Sequence, residues 1–114
     1  MRIVCVDFNG VLDTYEGWRG ARHFDAPRPG ALDFLEQLAG RGFGVVIFTT
    51  RHAADVWAWL CGHGLDHLVM DVTDRKPPAH VFIDDRAVCF RGDFAATLEE
   101  VDRFCAHWEE DVGS

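Results

Sequence analysis

Asp7, Asn9, Thr49, Lys76, Asp84 and Asp85 are polar residues set beside short apolar runs. Asp7-Phe8-Asn9-Gly10 ends the first run, Thr49-Thr50-Arg51 ends the second, and Asp84-Asp85 ends the last. Lys76 stands just before that last run. If the runs are parallel strands, these groups meet at one sheet edge. Carboxylates gathered there repel unless a cation or a proton lies between them. Oxygen-only donors suit a hard ion such as Mg²⁺. A lysine and a threonine beside that ion suit a phosphoryl group, which needs charge neutralisation and donors for its oxygens. Gly10 lets the backbone approach such a group closely.

The elements that must position these residues follow from the apolar pattern. Ile3–Phe8 is an apolar run broken only by Asp7 and reads as a buried parallel strand. Residues 13–29 carry Gly17, Gly20, Pro27 and Pro29 and read as an irregular, flap-like loop. From Gly30, Leu32, Leu35, Leu38 and Ala39 mark a helix that Gly40 and Gly42 end. Gly44–Thr49 reads as a second strand and Ala53–His63 as a helix stopped at Gly64. His67–Val72 reads as a third strand and His80–Asp84 as a fourth. Thr97 with Glu100 forms a capping-box signal for a last helix that buries Leu98, Val101, Cys105 and Trp108. The pattern is α/β with a mostly parallel sheet over one domain, residues 1–114. Sites in such sheets lie beyond the carboxyl ends of the strands.

The ordered motifs Asp7-x-Asn9-Gly10-Val11-Leu12, Thr49, Lys76 and Asp84-Asp85 resemble those of the haloacid dehalogenase superfamily. The resemblance runs from Ile3 to about Asp85. It implies a Rossmann-like three-layer sandwich and a Mg²⁺-dependent phosphatase. It implies Asp7 as a nucleophile that forms an aspartyl-phosphate. Asn9 would give a backbone carbonyl to the metal from the position where the family has an acid/base aspartate. Thr49 would bind phosphoryl oxygens, with Thr50 and Gly10 beside it. Lys76 would neutralise nucleophile and phosphoryl group. Asp85 would bind the metal directly, supported by Asp84.

Two departures matter. An amide at position 9 has no proton to give and cannot deprotonate water, a loss worth about 10²–10⁴-fold in rate. The chain is then a member of low activity, or it uses another group such as Asp13 or His23, or Asn9 is an introduced change. The second departure is size: no stretch can form a cap domain. The site is expected to be open, or covered by the 13–29 loop or by a neighbouring subunit in a homo-oligomer. As a flap, that loop would bring Trp18 and Arg22 to substrate, with Arg51 near by. A phosphate-binding protein without turnover is the alternative reading. A response-regulator receiver is set aside because its acidic pair comes first and its acceptor aspartate on the third strand; here the acidic pair comes last.

Composition sets the remaining bounds. Nineteen acids against eleven bases give a net charge of −8, which argues against nucleic acid and anionic membranes and leaves a phosphorylated small molecule as the expected partner. No apolar stretch reaches the ~18–20 residues of a membrane span, and no secretory leader is visible. Cys5, Cys61, Cys89 and Cys105 show no metal-ligand spacing and each reads as a small core residue, consistent with a reduced, cytoplasmic setting. The histidines likewise have no ligand spacing among themselves, and Trp57, Trp59 and Trp108 read as packing residues.

Overall fold

The computed structural model describes residues 1–15, 17–20 and 23–104. Four strands form one all-parallel sheet: β1 (Arg2–Asp7), β2 (Phe43–Phe48), β3 (Asp71–Thr73) and β4 (Val81–Ile83), in the order β3-β2-β1-β4. Helices α1 (Ala31–Gly40) and α2 (Ala53–Gly62) make the first two crossovers, and α3 (Phe94–Arg103) follows β4. The expected α/β class with a Rossmann-like parallel sheet is therefore the one observed.

Alternation along the strands decides which residues face the helices. Val4 and Val6 of β1, Val45 and Ile47 of β2 and Val72 of β3 join Ala31, Leu35, Val56, Trp59 and Leu60 in one buried cluster. Because these residues share one cluster, α1 and α2 cover the same face. Asp7, Cys5 and Phe48 alternate to the other face, where the structure keeps a cavity of about 700 Å³. The crossover from β3 to β4 spans both inner strands in residues 74–80 and contains no helix.

Four expectations are corrected. The segment read as a strand over 67–72 begins as one helical turn, Asp66–Leu68, and the strand is only Asp71–Thr73. Leu65 and Val69, four apart, both enter the core, a spacing that suits a helical turn better than alternation. Helix α3 starts earlier than the capping box implied: Asp93 is its cap, accepting from Ala96 N at 3.2 Å, and Thr97 lies inside the helix, donating Oγ1 to the Asp93 carbonyl at 2.8 Å. Leu98 and Val101 are exposed, not buried, at 64% and 55%. Cys105 and Trp108 lie outside the described residues. Cys5 is buried as expected, but Cys61 and Cys89 are exposed. Trp59 is buried and Trp57 packs beside the core.

Burial separates two otherwise similar leucines. Leu35→Ala, in the core, is expected to cost about 2–5 kcal/mol in urea unfolding. Leu98→Ala on α3 should change stability by less than about 1 kcal/mol, given its exposure.

Candidate functional site

The site is built at the carboxyl ends of β1 and β4. These strands pair in parallel with Val6 opposite Ile83, so Asp7 and Asp84 leave the sheet side by side. One oxygen from each of Asp7, Asp84 and Asp85 lies within 4.8 Å of the others. Asp84 is held as a turn residue, its Oδ1 accepting from Arg86 N at 2.8 Å. Asp85 packs against Gly10, where an added Cβ would collide with its carboxylate. Gly10 also has φ 90°, which a side chain would strain. Both constraints require glycine there.

Beyond Asp7 the chain makes a tight turn, Phe8–Leu12, closed by Asp13 N–H donating to the Phe8 carbonyl at 3.4 Å. Asn9 (ψ 124°) and Gly10 break any helical continuity within it. Arg28, in the 13–29 loop, donates to the Gly10 carbonyl at 2.9 Å. Asp13 is fully buried, and its Oδ1 accepts from the N–H groups of Gly10 at 2.8 Å and Tyr15 at 3.1 Å. Burial pushes the Asp13 carboxyl up in pKa and those two donors draw it back.

Lys76 shares the cavity with Asp7 and Asp84, its Nζ 4.6 Å from the centre of the Phe82 ring. Thr49 is buried at the end of β2 and its Oγ1 accepts from Arg51 N at 3.0 Å, leaving the hydroxyl proton to donate elsewhere. Thr50 is exposed. Arg51 is 9% exposed and donates Nη1 to the His23 carbonyl at 2.7 Å. Its guanidinium lies over Phe24 at 4.5 Å and over the exposed ring of Trp18 at 5.4 Å. Arg51 therefore ties the loop to the site. Arg22 lies outside the described residues. His23 contacts Asp25 at 3.0 Å.

Asp7 is pushed up to about pKa 7, first by burial, then by Asp84 and Asp85, against an opposing pull from Arg86. Its Oδ2 is buried and receives no hydrogen bond among the described residues. An all-oxygen set of this size could hold a hard divalent cation. Sequence reasoning missed Arg28 and Arg86. Arg86 was legible as the cation directly after Asp84-Asp85, whereas Arg28 reaches Gly10 only through the loop's path.

No family model matches the chain, and no curated protein matches it. Among solved structures, a conserved protein of Bacteroides thetaiotaomicron is similar, with a TM-score of 0.60 at 20% identity over 88% of each chain. At that identity the likeness shows the fold alone.

The raised Asp7 carboxyl makes stability depend on pH. Below about pH 4 Asp7 is neutral whether folded or unfolded. Between there and about pH 7 only the unfolded chain ionises, so stability falls as pH rises and levels off above 7. Without divalent metal, Asp7→Asn should be the more stable form at pH 8, by on the order of 3 kcal/mol, with the gap closing by pH 4. Thermal unfolding across that range measures it.

Proposed function

We propose that this protein is a Mg²⁺-dependent enzyme of phosphomonoesters that takes the phosphoryl group onto Asp7. The observation that carries the reading is the cluster of Asp7, Asp84 and Asp85, with Lys76 on the same cavity. The residues fit the ion: the donors are oxygens, Asp7 Oδ2 is buried without a donor, and Gly10, lacking a Cβ, lets the Asp85 carboxylate sit against the turn after Asp7. Asp7, Asp84, Asp85 and the Asn9 carbonyl would hold it. Mg²⁺ would supply charge neutralisation for the carboxylates and the phosphoryl oxygens.

The remaining chemistry belongs to the chain. An ionised Asp7 oxygen attacks phosphorus, the Asp7 O–P bond forms, and the ester P–O bond breaks. Lys76 offsets charge on the transferring group, and the Thr49 hydroxyl donates to its oxygens. The departing oxygen takes its proton from solvent, since Asn9 has none to give. Resolution of the aspartyl-phosphate by water lacks a base at position 9, so it is the slow step. A phosphate-binding protein without turnover is a second reading, favoured by the Asn9 amide: in the orientation that matches donors to acceptors, both its polar atoms are engaged (Nδ2 with Asp13, Oδ1 with Arg51).

An aryl phosphate tests the first reading, because its leaving group needs little protonation. With Mg²⁺, a burst of phenolate close to one equivalent should precede a slow steady rate. EDTA or Asp7→Asn should abolish the burst. Mg²⁺ binding with no burst and no phosphorylated protein would leave only the second reading.

A further inference from the structure

The proposed phosphoryl transfer makes no use of the bonds that surround Asn9. With its amide oriented to satisfy both neighbours, Asn9 Nδ2 donates to Asp13 Oδ2 at 2.9 Å and Oδ1 accepts from Arg51 Nε at 3.2 Å. The other Asp13 oxygen is occupied by the Gly10 and Tyr15 N–H groups. Asp13 has no exposed surface. Each carboxylate oxygen thus has a donor, and one of those donors is the Asn9 amide.

The Asn9 amide offers one donor and one acceptor to these two neighbours, whereas an ionised carboxylate of the same length offers acceptors alone. A carboxylate at position 9 would keep the bond from Arg51 but turn an acceptor toward Asp13 Oδ2, itself an acceptor. Leaving a buried acceptor unmatched is costly. Positions 9 and 13 are therefore coupled: an amide at one calls for a carboxylate at the other. The coupling reaches further, because Arg51 is anchored on the His23 carbonyl and beneath Trp18 and Phe24.

We infer that Asn9 and Asp13 are a matched amide–carboxylate pair that makes the site hold a phosphoryl group on Asp7 instead of releasing it. The inference rests on the reading of Asp7 as phosphoryl acceptor. Release requires water to attack phosphorus, the Asp7 O–P bond to break with its electrons returning to Asp7, and the water proton to pass to a base. Position 9 has no base. The neighbouring carboxylate that could have served is sealed at position 13 with both oxygens bonded. Asn9, Asp13 and Arg51 are positioning residues in this scheme.

The test exchanges the pair. In Asn9→Asp/Asp13→Asn, the amide at position 13 can accept from Gly10 and Tyr15 N–H with its oxygen and donate to the carboxylate at position 9, which still accepts from Arg51. Every bond is kept, and a carboxylate stands at the acid/base position. Thermal unfolding is compared for the parent, both single variants, the exchange and Asn9→Ala. Each single variant should lose about 4–8 °C, and the exchange should recover most of that. Asn9→Asp should be less stable than Asn9→Ala, which removes the same bonds without opposing two acceptors. The lifetime of the phosphorylated protein, followed by intact mass after aryl phosphate and Mg²⁺, should fall at least ~10²-fold in the exchange relative to the parent.

Additive losses in the exchange, or Asn9→Asp no worse than Asn9→Ala, overturn the matched pair. Recovered stability with an unchanged lifetime overturns its role in holding the phosphoryl group. Recovered stability with no phosphorylated protein in either form overturns that role through the failure of Asp7 as acceptor, and this result is distinct from the other two.

Discussion

Parallel pairing of β1 with β4 brings Asp7 beside Asp84, and the rest of the site follows from having to accommodate that contact. Three carboxylates at the ends of two neighbouring strands repel one another, and burial makes the repulsion harder to screen. Without a cation, the chain answers by raising Asp7 in pKa to about 7. The turn after Asp7 answers sterically, with a glycine where the Asp85 carboxylate presses in. A fold that gathers charge in this way gives up stability at neutral pH unless a positive ion joins the cluster.

Around this cluster the chain builds a hydrogen-bonded frame, its bonds buried at Asp13 and part-buried at Arg28 and Arg51. Arg28 fixes the Gly10 carbonyl, Asp13 fixes the Gly10 N–H, and Arg51 joins Asn9 to the 13–29 loop. Trp59 adds a further anchor by donating its indole N–H to the Asp25 carbonyl at 2.9 Å. The loop is irregular in backbone yet pinned at several points, as a segment bearing on a site must be to act reproducibly. The Trp18 ring is the exception: it is 65% exposed, lying above Arg51 at the outer limit of this frame.

Much of this was legible in the sequence, for definable reasons. The strands β1 and β2 are long, continuous apolar runs, and their polar ends stand out against them, so Asp7, Thr49 and the Asp84-Asp85 pair could be placed at one sheet edge. The segment near Leu65 and Val69 was less legible because a few apolar residues fit a helical turn and a strand equally well. The start of α3 is ambiguous in the sequence because Thr97 with Glu100 and Asp93 are both acceptable cap signals, and local sequence does not rank them. The exposure of Leu98 and Val101 was not legible at all, since an apolar stripe indicates a face fit for burial without indicating that a partner surface lies opposite. Asp13 and Arg51 were hardest to assign: their roles come from contacts across the loop, which no local spacing encodes.

The bare crossover between β3 and β4 bears on the order in which the molecule assembles. The β1-α1-β2-α2-β3 portion closes through connections between neighbours in sequence, and it contains the whole of the buried cluster. β4 instead joins β1 across most of the chain, Val4 pairing with Val81, with no crossover helix to guide it. Closing so long a loop is entropically costly and yields little until the rest has formed. The acidic cluster is thereby completed only by the pairing of β1 with β4, the contact of longest sequence separation in the sheet, and the apolar core that opposes its mutual repulsion lies wholly in the preceding part of the chain.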